Sequence, residues 1–163
     1  MRDLGVVYVM TGNYAQASSY HHDALDIYTE LGCRTHQAYA LNELGIVSLA
    51  TGALEGARTA HEQALELFTE LGERSGRANR LRGLGAVERA SGNATEAVRL
   101  LEEALASYEA LGSRGCQAAT LAELGAARAS LADHTGAEDG FRRYLEIQRA
   151  LGNWCGKAEV LTN

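Results

Sequence analysis

Leu41-Asn42-Glu43-Leu44-Gly45 is the stretch that decides the fold, because its last two residues return at a fixed interval. The Leu-Gly pair recurs every 40 residues, at Leu4-Gly5, Leu44-Gly45, Leu84-Gly85 and Leu124-Gly125. A second series keeps the same step, at Leu31-Gly32, Leu71-Gly72, Leu111-Gly112 and Leu151-Gly152. Self-similarity at a period of roughly 20 to 50 residues indicates a stacked repeat array. The sequence therefore predicts an array of similar units.

Within each half-repeat, apolar and small residues recur at steps of three and four, which is typical of amphipathic helices. One such run is Ala57, Ala60, His61, Ala64, Leu65, Phe68 and Leu71. Proline is absent from the chain, and glycines such as Gly52 and Gly72 stand where left-handed C-caps end helices. The pattern predicts antiparallel helix pairs, with helices at roughly residues 1–11, 14–31, 35–51, 54–71, 75–91, 94–111, 115–131, 134–151 and 154–163.

A second set of glycines lies inside the predicted helices, at Gly5, Gly45, Gly85 and Gly125. Glycine in a helix interior is less favourable than alanine by about 1 kcal/mol. We expect the close approach of the partner helix to require these glycines. The small residues expected to face them are Ala17, Ala57, Ala97 and Ala137.

The spacing Leu4-Gly5-x-x-Tyr8, then Ala17-x-x-x-His21, then Ala24 resembles the tetratricopeptide repeat. The units depart from that pattern, since the closing proline is missing and the aromatic site holds His21, His61, Leu101 and Phe141. The resemblance implies an all-α fold, a right-handed superhelical solenoid of antiparallel helix pairs. Four repeats are expected at residues 1–33, 34–73, 74–113 and 114–153, with a partial fifth opening helix at 154–163. Residues 1–163 then form a single array, which we expect to be a fragment of a longer protein.

Each repeat is longer than the usual 34 residues, and an arginine follows the Leu-Gly turn at Arg34, Arg74 and Arg114. This longer form resembles the repeat tails of bacterial STAND-type ATPase regulators, including antibiotic-pathway transcription regulators. It also resembles the 40-residue repeats of animal spindle-orientation adaptors, and the wealth of alanine and arginine favours the bacterial group. Because the three arginines recur in every unit, we expect a structural role, such as bonding the carbonyls at helix ends.

The resemblance implies that the first helix of each pair lines a concave groove. The residues expected to face into it are Tyr39, Asn42, Ile46, Asn79, Arg82, Arg89, Ala122 and Ala126. We predict a protein-interaction scaffold that binds a peptide or a partner domain there, as the sensor or interaction part of a larger bacterial regulator. A local basic patch is expected on one helix, from Arg74, Arg77, Arg80, Arg82 and Arg89. It favours an acidic or carboxylate-bearing peptide; the alternative is a solvated helix face.

Several other classes of function are disfavoured. A formal net charge of -6 argues against direct nucleic-acid binding. No apolar run reaches membrane-spanning length, and no leader opens the chain, which fits a cytoplasmic protein. We predict no enzyme activity, no catalytic residues, no cofactor and no metal site, because no motif places a catalytic or ligand set. His21 and His61 occupy the aromatic core site, so we expect packed, hydrogen-bonded histidines.

Self-association is the alternative function. Apolar residues near both ends, such as Val6, Val7, Val160 and Leu161, have no covering helix within the sequence. Such ends favour head-to-tail stacking between chains, a heterologous contact that can continue into a filament. The sequence therefore allows a homo-oligomer formed through the terminal helices.

Overall fold

The structure, a computed structural model, describes residues 12–152. Within that range the chain forms seven α-helices and no strand, so the all-α prediction is confirmed. The helices, each of 17 residues, are α1 (Tyr14–Glu30), α2 (Arg34–Ala50), α3 (Leu54–Glu70), α4 (Arg74–Ala90), α5 (Ala94–Ala110), α6 (Arg114–Ser130) and α7 (His134–Ala150). The predicted helices 1–11 and 154–163, with the end residues invoked for stacking, lie outside the described residues.

Glycine ends these helices as the sequence predicted. Gly72 has a φ of 68° and lies just beyond α3. Its backbone N–H donates to the carbonyl of Thr69, while the N–H of Glu73 reaches the carbonyl of Phe68. Two such bonds satisfy carbonyls that have no partner inside the helix. Ala132 adopts the same left-handed conformation (φ 59°) after α6, where the other turns have glycine.

The helices form a solenoid of consecutive pairs. Every helix packs against its neighbours in the chain; in addition, α2 contacts α4 and α4 contacts α6. No comparable contact joins any two of α1, α3, α5 and α7, among the described helices. The even-numbered helices therefore form the tighter, inner layer. These are the first helices of their pairs, on which the groove is predicted to lie.

The space above the helix-interior glycines is filled by larger side chains of the partner helix. His61 and Leu101, each four residues after one of the predicted alanines, are examples. A Cβ at Gly45 would overlap the His61 ring, and one at Gly85 would lie 2.7 Å from Cγ of Leu101. Close packing against the partner helix is thus confirmed. The expectation that Ala57 and its equivalents face the glycines needs correction. The carbonyl oxygen of Ala97, at 3.5 Å, is only the third-nearest atom at Gly85, because the larger side chain reaches further into the notch.

Within residues 12–152, none of the recurrent arginines donates a hydrogen bond to a helix-end carbonyl. Arg34 pairs instead with Glu70 of α3. The carbonyls of Tyr28 and Tyr108 accept bonds of 3.0 Å from the amide nitrogens of Gln37 and Gln117. The glutamine three residues after the first helical position lies beside the end of the preceding helix, whereas the arginine at the first position is exposed and, in the case of Arg34, meets an acidic partner.

Candidate functional site

The eight residues predicted to face the groove all lie on the inner helices. Tyr39, Asn42 and Ile46 are on α2, the residues Asn79, Arg82 and Arg89 are on α4, and Ala122 and Ala126 are on α6. Each of the eight keeps some exposure to solvent. The inner face therefore presents these side chains from three adjacent helices.

Four of the eight residues line a single pocket. Its volume is about 330 Å³, and it opens between α2 and α4 with α6 at one side. The lining residues are Asn42, Ile46, Leu49, Ala50, His61, Asn79, Arg80, Arg82, Gly83, Ala86 and Glu123. The others stand apart from it. The Tyr39 ring packs edge-on against Phe68, with centroids 5.2 Å apart, and Arg89 lines a neighbouring depression near the start of α5.

His61 reaches the pocket from the outer helix α3. Its ring lies between Gly45 of α2 and Gly83 of α4, where a Cβ on either glycine would approach within 3 Å. The residue is 1% exposed, and its Nδ1 has no hydrogen-bond partner. Burial, helped by the nearby Arg80 charge, lowers the pKa of His61 to about 4, so the ring is neutral at pH 7. The predicted packing is confirmed, but the predicted hydrogen bonding is wrong for Nδ1.

Arg80 is the most unusual residue of the pocket. It is 7% exposed, and its Nε and Nη1 have no hydrogen-bond partner. Burial lowers the pKa of Arg80 to about 10, opposed by the more distant Glu43 carboxylate; the group remains charged at neutral pH. A buried polar group without a partner costs about 1–3 kcal/mol, and more when it is charged. No ion pair to Arg80 forms among the described residues.

Glu123 and two asparagines complete the polar lining. Oε1 of Glu123 lies 3.5 Å from the Arg82 guanidinium, whereas its Oε2 is buried without a partner. Burial raises the pKa of Glu123, and Arg82 and Arg89 oppose that shift. Asn42 also has an unpaired buried oxygen. The Asn79 side-chain oxygen accepts a 2.6 Å bond from the Tyr108 hydroxyl, which orients the amide.

The predicted basic patch is not continuous, because the helix turns its arginines in different directions. Arg77 pairs with Glu103 on α5, Arg82 faces Glu123 on α6, and Arg80 is buried. Arg74 and Arg89 remain exposed. A run of arginines in the sequence thus becomes separate side chains with separate partners.

Sequence reasoning did not assign His61, Gly83 or Glu123 to a site, and it placed Arg80 in the basic patch of α4 rather than in a buried pocket. A signal existed in the repeat itself. The position of Arg80 holds Ala40 in the preceding unit and Thr120 in the following one, and both are buried. A charge at a register that is otherwise small and buried marks a departure from the repeat pattern.

The fold and the periodicity agree with the comparison to known families. The profile of the tetratricopeptide repeat family matches residues 1–70, 36–110 and 76–150. The chain belongs to the tetratricopeptide repeat family. Repeats of this family generally bind protein partners and act as scaffolds for protein–protein interaction rather than as enzymes. No curated protein matches the sequence.

Solved structures of other tetratricopeptide repeat chains and solenoids resemble this one. BtubC (BKLC) from P. vanneervenii is 24% identical, with a TM-score of 0.83 over 94% of this chain and 63% of its own length. Aspartyl phosphate phosphatase F from Bacillus subtilis is 12% identical, with a TM-score of 0.86 over 93% of this chain and 40% of its own. The tetratricopeptide repeat domain of Arabidopsis FLU is 20% identical, with a TM-score of 0.68 over 72% of this chain and 98% of its own length. At these identities the likeness shows the fold alone.

Two kinds of feature are absent from the part of the chain that the structure describes. Across residues 12–152, no helix is long and apolar enough to span a membrane. In the same part of the chain, no group of three or more His, Cys, Asp or Glu side chains is arranged to hold a metal ion.

Proposed function

We propose that this tetratricopeptide repeat chain binds a peptide or a partner domain in the groove formed by α2, α4 and α6. The observation that carries the proposal is the set of partly exposed side chains that those three helices present, four of which line the pocket. Ile46 offers apolar surface, Asn42 and Asn79 offer amides, and Arg82 and Arg89 offer positive charge. On α6, Ala122 and Ala126 offer small, partly exposed apolar side chains.

The partner is proposed to be acidic along the part that crosses α4. Arg89 has no ion pair among the described residues, and Arg82 is held only at 3.5 Å by Glu123. Arginine gives paired hydrogen bonds to a carboxylate, and such charge-assisted bonds are about twice as strong as neutral ones. We also propose that the chain is the interaction part of a larger bacterial regulator. That context is supported by the 40-residue repeat with Arg34, Arg74 and Arg114.

The test is selection of peptides from a random library on the 163-residue protein, followed by affinity measurement. We expect selected peptides to be rich in Asp and Glu, and Arg82→Gln with Arg89→Gln to weaken their binding about tenfold or more. The matched control removes the same charge from the outer helices, by Arg99→Gln with Arg142→Gln, and should leave affinity unchanged. Equal affinity of the peptides for the two double variants would contradict the proposal that they bind in the groove.

Self-association is the second candidate, and exposed apolar residues on α7 favour it. Phe141 and Leu145 are 41% and 46% exposed, whereas Leu101 and Leu105, their equivalents on α5, are buried under α6. A face of this kind can receive a helix from another copy. We expect light scattering to show mass rising with concentration if chains stack, and Phe141→Glu to prevent the rise. A monomer at high concentration would remove this candidate.

A further inference from the structure

The pocket between α2 and α4 holds most of the unsatisfied polar groups of the described structure. Six buried side-chain nitrogen or oxygen atoms have no partner across residues 12–152, and five of them belong to pocket residues. The five are Asn42 Oδ1, His61 Nδ1, Arg80 Nε, Arg80 Nη1 and Glu123 Oε2. Buried polar groups are normally paired, so their concentration around one cavity makes this cavity a candidate binding site.

The fold does not require this polar lining. At the register of Arg80, the small residues Ala40 and Thr120 are equally buried in the units before and after. At the register of His61, Leu101 fills the same notch with an apolar side chain. The polar groups are thus additions at one place in the array.

We propose that this pocket binds a carboxylate carried on a compact apolar body with a hydrogen-bond donor beside it. The guanidinium of Arg80, whose Nε and Nη1 have no partner in the described chain, donates charge-assisted hydrogen bonds to the carboxylate. The unpaired oxygens of Asn42 and Glu123 accept the donor, and Ile46, Leu49 and Ala86 contact the apolar part. Amino acids and hydroxy acids have this chemistry.

Charge and size set limits on the occupant. Arg80 and Arg82 contribute two positive charges, and Glu123 contributes one negative charge, while the His61 ring is neutral. The lining therefore favours one negative charge over a multiply charged phosphate, which the Glu123 carboxylate, and the Glu43 carboxylate that acts on Arg80 from outside the lining, would repel. The cavity of about 330 Å³ equals the volume of roughly ten water molecules. A molecule the size of leucine fits these limits.

The carboxylate has two sources, a free small acid or the end of a peptide lying in the groove. The second source deepens the proposed function and rests on it, whereas the first stands without a protein partner. Titrations of the intact protein with L-leucine, 2-hydroxy-4-methylpentanoate and L-leucinamide, followed by ¹H–¹⁵N NMR, test the site directly. We expect both acids to shift the signals of Arg80, Gly83 and Ala86, and the amide, which lacks the carboxylate, to bind at least about tenfold more weakly.

Arg80→Met should weaken binding of both acids at least about tenfold, because it removes the guanidinium at similar length. Arg74→Met, an exposed change on the same helix, is the matched control and should have no effect. The positions of the residues whose NMR signals shift in the wild-type protein provide a second test, which needs no variant. No binding of either acid at 10 mM (about the weakest useful affinity), equal binding of leucinamide, or shifts confined to the outer helices would overturn the proposal.

A competition experiment distinguishes the two sources of the carboxylate. A short peptide ending in leucine is compared with its C-terminally amidated form as a competitor of the free acid. Competition by the free-ended peptide alone assigns the carboxylate to a peptide, and binding of the small acids alone assigns it to a free molecule; both support the site. Failure of the library selection would leave this titration informative, and failure of the titration would leave the wider groove to be tested by its own variants.

Discussion

Two neighbouring interfaces of the array use the same geometry with opposite chemistry. In the first, which we call the His61 interface, α3 inserts His61 above Gly45, beside Arg80 and Gly83 of α4. In the second, the Leu101 interface, α5 inserts Leu101 above Gly85 and packs against Leu121 and Leu124 of α6. One encloses a polar pocket and the other a close apolar core.

The residues that differ between the interfaces explain the pocket. Position 83 is glycine on α4, whereas Glu123 occupies that register on α6. The missing side chain leaves room for the imidazole and the cavity. Thr120, at the register of Arg80, bonds the carbonyl of Cys116 at 2.8 Å and is satisfied locally. The Leu101 interface shows what the fold needs, and the His61 interface shows what this sequence adds to it.

The largest expected effect contrasts the two inserted side chains. Leu101→Ala should lower the free energy of unfolding by about 2–5 kcal/mol, since it leaves a cavity in a fully buried core. His61→Ala should cost less, because it also removes an unpaired Nδ1 and opens onto a pocket that water can enter. Urea denaturation followed by circular dichroism measures both. Equal losses would show that the His61 interface is as closely packed as the other.

Acid should weaken the His61 interface specifically. The pKa of His61 is about 4 in the folded protein and 6.5 in its ordinary state. Between these values the unfolded chain binds a proton that the folded chain does not, so stability falls as the pH decreases through that window. We expect His61 to account for about 2 kcal/mol of loss between pH 7 and pH 4.5.

His61→Leu, which copies the Leu101 interface, should abolish that part of the loss. Denaturation of the wild type and of His61→Leu at the two pH values gives the difference. His21, whose pKa is also lowered by burial, is present in both proteins and cancels. A variant that loses as much stability as the wild type would show that His61 is not the group responsible.

The next largest change in stability is expected at Gly85, the glycine that lies under Leu101 in the Leu101 interface. Gly85→Ala places a Cβ 2.7 Å from Leu101 Cγ, so we expect overpacking to cost about 1–3 kcal/mol despite the better helix propensity of alanine. Gly115→Ala is the control, since nothing lies within 4 Å of its added Cβ. It should stabilise the protein by up to about 1 kcal/mol. Thermal denaturation of both variants measures these changes in stability. A Gly85→Ala variant as stable as the wild type would mean that Leu101 can move aside.

The smallest effect concerns the buried arginine. Arg80→Met in the absence of ligand should raise the free energy of unfolding by about 1 kcal/mol, because apolar replacement of a buried charge removes its desolvation cost. Arg77→Met, which breaks the pair with Glu103 at a half-exposed position, should not stabilise. Urea denaturation compares the two. Loss of stability in Arg80→Met would show that the distant Glu43 charge already compensates Arg80.

Local physics made most of the architecture predictable. The helices begin and end within a residue of the predicted positions, because glycines with positive φ, such as Gly72, end them in each unit. The inner layer was also predictable, because the resemblance to the family indicated which helix of each pair lies inside. The role of Ala57 was not, since a pattern of small residues does not say which longer side chain reaches the glycine.

The sequence by itself determined the repeat and the helices, because these depend on spacing along one chain. Only the tertiary structure decided that Arg80 is buried while Arg74 is exposed, and that His61 meets Arg80. At the level of sequence the arginines of α4 are chemically identical. Their burial depends on how closely α2, α3 and α6 approach each one, and on the space that Gly83 leaves open.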